Sequence, residues 1–159
     1  FKRYLVSFGY TSDVVNAVLK EPASQLSDAS ARCEALATFA KSDEALPLAT
    51  AFKRINKLLE KSVREEVFDE VNPALFEHDH EQALLTAMRK KSESLPMLMQ
   101  QANYQSVLTN LADLKEPIDS FFDNVMVMAE NMELRNNRLG LLKELRALLV
   151  SVADLSLLQ

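Results

Sequence analysis

Residues 117–143 read PIDSFFDNVMVMAENMELRNNRLGLLK, and this stretch decides the fold because it leads into a helix with a strong apolar stripe. That helix is predicted to run from about Leu134 to Val152. Its apolar residues share one face roughly 120° wide, the usual width of a stripe that packs on a core. The residues of this stripe are Leu134, Leu141, Leu142, Leu145, Leu148, Leu149 and Val152.

The rest of the sequence is also typical of helices. Only 2 of the 159 residues are glycine, and Ala, Leu, Glu and Lys are abundant, which favours helix almost throughout. No window shows the strict apolar–polar alternation of a half-buried strand. We therefore expect an all-α helical bundle of about six to eight helices, a single domain over residues 1–159 with a core of its own.

Charge and cysteine content limit the possible functions. A net charge of −5 argues against a protein that binds nucleic acid over its whole surface, so any such contact needs a local basic patch. Cys33 is the only cysteine, which excludes an internal disulfide and fits a reducing compartment. Its Ala and Leu neighbours predict a small buried hydrophobe, not a reactive thiol. No signal peptide or membrane-length apolar run is present.

The two ends of the chain suggest a piece of a longer protein. The sequence starts at Phe1 and not at a methionine, in the middle of a helical pattern. Leu155, Leu157 and Leu158 make the other end apolar, so we expect it to fold back on the bundle after a turn capped by Asp154. Gln159 is accordingly expected near the C-terminus of the parent chain.

A predicted helix from about Glu44 to Val63 carries a basic face opposite its core positions Leu48, Phe52, Ile55 and Leu59. The cations of that face are Lys53, Arg54, Lys57, Lys61 and Arg64. Like charges four residues apart repel by a few tenths of a kcal/mol per pair, roughly, so a polyanion would stabilise this helix. A solvent-exposed lysine face, whose charge is balanced by acidic residues elsewhere in the protein, explains the same pattern equally well.

Local signals place several other helix boundaries. Asn103 is predicted to cap a helix over Tyr104–Leu114, and Pro117 sits where a first helical turn favours proline. Pro96 is expected to kink or divide the helix that begins near Glu77 and ends near Gln101. Asn72-Pro73 marks a turn, and residues 64–76 are the least regular part of the chain.

Metal and catalytic sites are not expected. Glu77 and His80 have the Glu-x-x-His spacing of di-iron bundles, but those sites need two such motifs and further glutamates. The chain has only His78 and His80, so an acidic first helical turn is the better interpretation. No glycine-rich nucleotide loop and no catalytic triad is present.

Arg135 and Arg138 point along the apolar stripe of the last helix, where an unpaired charge is costly. We predict that they form ion pairs with acids just upstream, closing the two final helices on each other. The candidate partners are Asp119, Asp123 and Glu130. The alternative leaves one guanidinium, Arg135 more readily than Arg138, for a phosphate or a base edge.

Three segments resemble a known family, the β subunits of bacterial glycyl-tRNA synthetase of the heterotetrameric type, in their C-terminal region. They are residues 117–130, residues 134–142 and Val152-Ala-Asp-Leu-Ser. Phe52-Lys-Arg-Ile-Asn-Lys-Leu-Leu is similar to that family's Lys-Arg-x-x-Asn-Ile-Leu helix, with Lys57 replacing an apolar residue. The resemblance covers nearly the whole chain, although residues 64–103 match weakly.

The resemblance implies a helical anticodon-binding domain of the DALR type, in a cytoplasmic ligase that makes glycyl-tRNA with ATP. It implies that the α subunit activates glycine, and that this chain is non-catalytic, holds no cofactor and binds the anticodon stem-loop of tRNA(Gly). On that basis Lys53, Arg54, Lys57 and Lys61 are expected to contact phosphates. Bases splayed from the loop would be read by Asn56, Arg135, Asn136 and Asn137.

Two other functions remain open. One is a subunit-docking module in which Leu139 and Val150 are exposed and meet another chain. The other is the anticodon domain of a different synthetase, such as the arginyl type, because helical bundles of this kind are reused.

Overall fold

The computed structural model describes residues 2–20, 26–61 and 71–158. Eight α-helices and two short 3₁₀ turns occur there, and no strand, so the all-α prediction is confirmed. The helices are α1 (Lys2–Ser7), α2 (Ser12–Lys20), α3 (Leu26–Ala40), α4 (Ala45–Lys61), α5 (Asp79–Gln100), α6 (Tyr104–Ala112), α7 (Lys115–Asn124) and α8 (Met132–Leu149). The 3₁₀ turns are Pro73–Leu75 and Leu155–Leu157.

The helices pack around one apolar core. Helix α5 lies against α6, α7 and α8, while α4 lies against α7, α8 and the final 3₁₀ turn. Helix α3 joins α2 to α6, and α1 packs on α2. Phe52 of α4, Phe121 of α7 and Met88 of α5 are among the largest buried side chains. The core therefore sits where α4, α5, α7 and α8 meet, and this arrangement brings α4 beside the end of α7.

The C-terminal segment is docked on the bundle, as predicted. Leu155 and Leu158 are buried, and Leu157 packs against the core. The Asp154 backbone N–H donates to the Ala17 carbonyl at 2.9 Å, and the Asp154 carbonyl accepts from Leu157 N–H at 3.2 Å. Hydrogen bonds and apolar burial together fix this end against α2 and α4.

Most local signals predicted the observed boundaries. The Asn103 side chain accepts from Ser106 N–H at 3.4 Å and caps α6, and Pro117 is the third residue of α7. Asn72 Oδ1 accepts from Ala74 N–H at 3.1 Å in the predicted turn. Pro96 does not divide the helix, because α5 continues through it to Gln100. Packing against three helices compensates for the one backbone hydrogen bond that proline removes.

Cys33 is fully buried, which confirms the prediction of a small core residue. Burial raises the pKa of its thiol from 9.0 to about 11, because the thiolate is poorly solvated there. No helix in the described part of the chain is long and apolar enough to span a bilayer. The predicted end of α4 at Val63, and Arg64 on its basic face, lie outside the described residues.

Candidate nucleic-acid interface

The basic face of α4 is exposed. Leu48, Phe52 and Ile55 are buried on the inner face of the helix. Residues on the opposite face of α4 therefore project into solvent. The exposed cations are Lys53, Arg54, Lys57 and Lys61. Their predicted exposure is confirmed.

Three of these cations line a groove of about 610 Å³. Arg54, Lys57 and Lys61 lie on the α4 side, at the i, i+3 and i+7 positions that share one helical face. The opposite wall is formed by the end of α7 and the following loop, residues 122–128. Asp123 is the only acid among the described residues that line this groove, so three cations face one carboxylate. The groove is locally positive on an acidic protein, which favours an anionic ligand.

Arg54 joins the two walls at one end of the groove. Its guanidinium carbon lies 4.2 Å from the centroid of the Phe122 ring, a cation–π contact between α4 and α7. The contact holds Arg54 at the rim while leaving the side chain exposed. The Phe122 ring therefore restrains the position of the Arg54 guanidinium at the groove.

The loop wall has an alternating pattern. Val125 and Val127 are buried, whereas the side chains between and after them, Met126 and Met128, are 72% and 37% exposed. Val125 has φ −121° and ψ 125°, the dihedral angles of extended backbone. Extended backbone at Val125 directs the Val125 and Met126 side chains to opposite sides, and the chain then bends at residues 127 and 128. The two valines therefore anchor the loop in the core, while the two methionines expose apolar surface along the groove.

Arg138 forms a buried ion pair with Glu81 of α5 and also hydrogen-bonds this loop. Its Nε donates to Glu81 Oε1 at 2.8 Å, and its Nη1 donates to the Met126 carbonyl at 2.8 Å. The predicted pairing with Asp119 or Asp123 was wrong: Asp119 accepts from Lys115 at 2.6 Å, and Asp123 lines the groove. The prediction that Arg138 is structural agrees with its 3% exposure.

Glu81 was missed as the partner of Arg138. It is fully buried, and its Oε2 accepts from the backbone N–H groups of Glu77 and His78 at 2.8 and 3.0 Å. The Glu81 carboxylate thus caps the N-terminus of α5 and balances the positive charge of Arg138 in α8. The position of Glu81 in the first turn of α5 signalled the cap, but the arginine approaches from 57 residues away along the chain.

Arg135 holds the far end of the same loop. Its Nε donates to the Ala129 carbonyl at 3.0 Å, and its side chain is half-buried. The Arg135 and Arg138 hydrogen bonds therefore bracket residues 126–129 from α8. This explains why two arginines interrupt an apolar stripe. Each donates a hydrogen bond to a loop carbonyl that has no N–H partner within a helix.

Asn136 and Asn137 lie away from the groove, and their base-reading prediction is corrected. Asn137 is fully buried; its Oδ1 accepts from Asn72 N–H at 2.8 Å and its Nδ2 donates to the Asn72 carbonyl at 3.0 Å. Asn136 is only 7% exposed. Burial removes both amides from contact with a base, and Asn137 instead fixes the chain next to the first 3₁₀ turn.

Lys53 and Asn56 lie on α4 but do not line the groove. Lys53 Nζ is 3.4 Å from the Leu158 carbonyl, at the docked C-terminal segment. Asn56 Oδ1 accepts from Arg146 Nε at 2.7 Å and so connects α4 to α8. The groove thus contains three of the four cations assigned to phosphate contact.

The predicted docking positions are also corrected. Leu139 is fully buried, and Val150 is half-buried and packs against the core. Leu139 in α8 and Val150 at its C-terminal cap both face the bundle, so they do not form an exposed apolar pair for another chain.

The fold is an all-α helical bundle with three cations along one surface groove. The family model for the DALR anticodon binding domain matches residues 48–156, and the chain belongs to that family. The matched region includes α4 from Leu48 onward, α7, the loop and α8, and therefore every residue that lines the groove.

The chain is similar to curated glycine–tRNA ligase beta subunits. It is 40% identical to that of Vibrio parahaemolyticus serotype O3:K6 over 159 residues, 100% of this chain and 23% of the relative. It is 44% identical to that of Pseudoalteromonas atlantica over 146 residues, 92% of this chain and 21% of the relative. The chain thus spans between a fifth and a quarter of the length of these relatives.

Proposed function

We propose that this chain holds the anticodon stem-loop of tRNA(Gly) within the beta subunit of a cytoplasmic glycine–tRNA ligase. In this proposal the chain performs no chemistry itself. The ATP-dependent activation of glycine takes place in the alpha subunit of the same enzyme. Binding of the stem-loop places the acceptor end of the tRNA for aminoacylation elsewhere in the assembly.

The observation that supports this proposal is the cationic groove in a chain of the DALR family. Arg54, Lys57 and Lys61 line one wall, and an RNA loop offers a phosphate every nucleotide. Lysines on flexible stems act as point charges for phosphate, while the guanidinium of Arg54 is held in place by Phe122. The groove therefore suits a bent, single-stranded segment better than a straight duplex.

The proposal is tested with a Lys57→Ala/Lys61→Ala variant of the complete ligase, assembled from its alpha and beta subunits. Equilibrium binding of tRNA(Gly) is measured at several salt concentrations. Loss of two phosphate contacts should weaken binding and lower the slope of log K against log salt by about 1.4 to 1.8. The kcat for glycine-dependent pyrophosphate exchange, which needs no tRNA, should not change.

The matched control removes two cations outside the groove, Lys41→Ala/Lys90→Ala, both exposed in the native structure. It changes the net charge by the same amount, so it reports the general effect of charge on tRNA attraction. Equal losses of affinity and salt slope in the two variants would show that the groove is an ordinary solvated surface. Dissociation of the subunits in the groove variant alone would assign the groove to subunit docking.

A further inference from the structure

The loop opposite the basic helix presents an apolar surface whose role the phosphate contacts do not explain. Met126 and Met128 line the groove with 72% and 37% of their surfaces exposed. Exposed methionines leave apolar surface in contact with water, which is unfavourable. Their backbone is nevertheless fixed, because Arg138 and Arg135 bond the carbonyls of Met126 and Ala129.

Met126 and Met128 are held at the groove opposite the cations of α4. Val125 and Val127 anchor the loop in the core, so the exposed methionines cannot turn inward without displacing two buried side chains. The cations on the facing wall set the charge of what enters the groove. An occupant must be anionic along one edge and apolar or aromatic along the other. A nucleotide has both properties on a single unit.

We propose that Met126 and Met128 form a stacking surface for an unpaired base of a single-stranded RNA loop, whose phosphates contact Lys57 and Lys61 across the groove. This inference rests on the proposed function and adds the residues that hold the base. A thioether packs favourably on an aromatic ring, and every base has a π face, so the contact adds affinity without a hydrogen-bond code. The three rotatable bonds of methionine let the wall adapt to purines and pyrimidines.

Asp123 and Asn124 line the same groove beside the methionines. A carboxylate repels phosphate, so the Asp123 side of the groove favours the base edge of the nucleotide over its backbone. Its oxygens accept hydrogen bonds from exocyclic amino groups. The orientation of the nucleotide follows: phosphate toward α4, base toward the loop.

The experiment compares Met126→Ala/Met128→Ala with the native ligase in tRNA(Gly) binding. Affinity should fall about tenfold, while the salt slope stays at the native value because no charge is lost. Met97→Ala serves as the control, since Met97 is 65% exposed on α5 outside the groove. Met126→Leu/Met128→Leu should retain most of the affinity. Thermal melting verifies that every variant is folded.

Single abasic substitutions along the anticodon loop identify the stacked base. At that position the native enzyme should lose affinity, and the double alanine variant should show no further loss. Equal losses in both enzymes at every position would overturn the inference. So would native affinity in the double alanine variant.

The two proposals fail in different ways. If Lys57→Ala/Lys61→Ala weakens binding and flattens the salt slope while the methionine variant binds normally, only the stacking surface is disproved. If neither variant affects tRNA binding, the proposed function fails with it. If the methionine variant releases the alpha subunit, the occupant of the groove is a protein segment and the inference is wrong.

Discussion

Arg138 Nε donates to Glu81 Oε1 at 2.8 Å. Both residues are buried, Arg138 with 3% and Glu81 with 0% of its surface exposed. The pair links α8 to the first turn of α5, and the same guanidinium reaches the Met126 carbonyl. A second carboxylate, Glu77, lies 3.7 Å from Arg138 Nη2. The charge of the arginine is therefore balanced at the point where α5, α8 and the groove loop meet.

Arg138→Met should reduce the free energy of unfolding by about 3–5 kcal/mol, because it leaves the buried Glu81 carboxylate without its cation. Chemical denaturation measures the loss. Arg89→Met is the control: Arg89 lies 3.8 Å from Glu144 with 56% of its side chain exposed, so its removal should cost less than about 1 kcal/mol. A small effect at Arg138 would contradict the buried-pair assignment.

Asn137→Leu should destabilise the fold by about 1–3 kcal/mol, because it orphans both the N–H and the carbonyl of Asn72. The affinity of the folded variant for tRNA should equal that of the native chain, since Asn137 lies outside the groove. Asn16→Ala, at an exposed position of α2, should alter stability by less than about 0.5 kcal/mol. Selective loss of tRNA affinity at native stability would restore a base-reading role to Asn137.

Arg54→Gln and Phe122→Leu should show a coupling energy of about 0.5–1 kcal/mol in a double-mutant cycle of unfolding free energies, the value of a partly exposed cation–π contact. A cycle of Arg54→Gln with Met97→Ala should be additive. Zero coupling with Phe122 would mean that the ring does not position the guanidinium.

Cys33 should make stability depend on alkaline pH. Its pKa is raised by burial to about 11, above the 9.0 of an ordinary thiol, so the unfolded chain loses the proton first. The contribution is constant below pH 9 and is lost between pH 9 and 11, with a slope of up to about 1.4 kcal/mol per pH unit.

The comparison with Cys33→Ala isolates this effect, because the variant lacks the thiol but keeps all other titrating groups. Its stability should fall less steeply than that of the native chain over the same pH range. Identical profiles would show that the thiol ionises equally in the folded and unfolded states.

The helical periodicity of the sequence predicted the elements well. The stripe of α8, the core face of α4 and the Asn103 cap are all properties of neighbouring residues along one helix. Pro96 was the exception: it is exposed, and α5 continues through it while the helix as a whole packs on α6, α7 and α8. The residues of the resemblance, from 117 to 142, also identified the DALR family that the family model matches.

Only the α4 side of the candidate site could be predicted from the sequence. The exposed cations of α4 follow from the helical wheel, but the wall they face does not. Phe122, Met126 and Met128 were not singled out, because the Val-Met-Val-Met string is apolar throughout and does not indicate which of its side chains stay exposed. Asn137 appeared available because its position on the wheel gave no hint of Asn72 beside it.

The sequence by itself determined the all-α fold, the basic face of α4 and the need of Arg138 for a partner, because each depends on spacing within one helix. The tertiary structure alone decided that the partner is Glu81, that Leu139 is buried, and that Arg54, Lys57 and Lys61 face a methionine-bearing loop. The physical reason is distance along the chain: helix periodicity acts over four to seven residues, roughly. The Arg138–Glu81 pair joins residues 57 apart, and only the packing of whole helices brings them together.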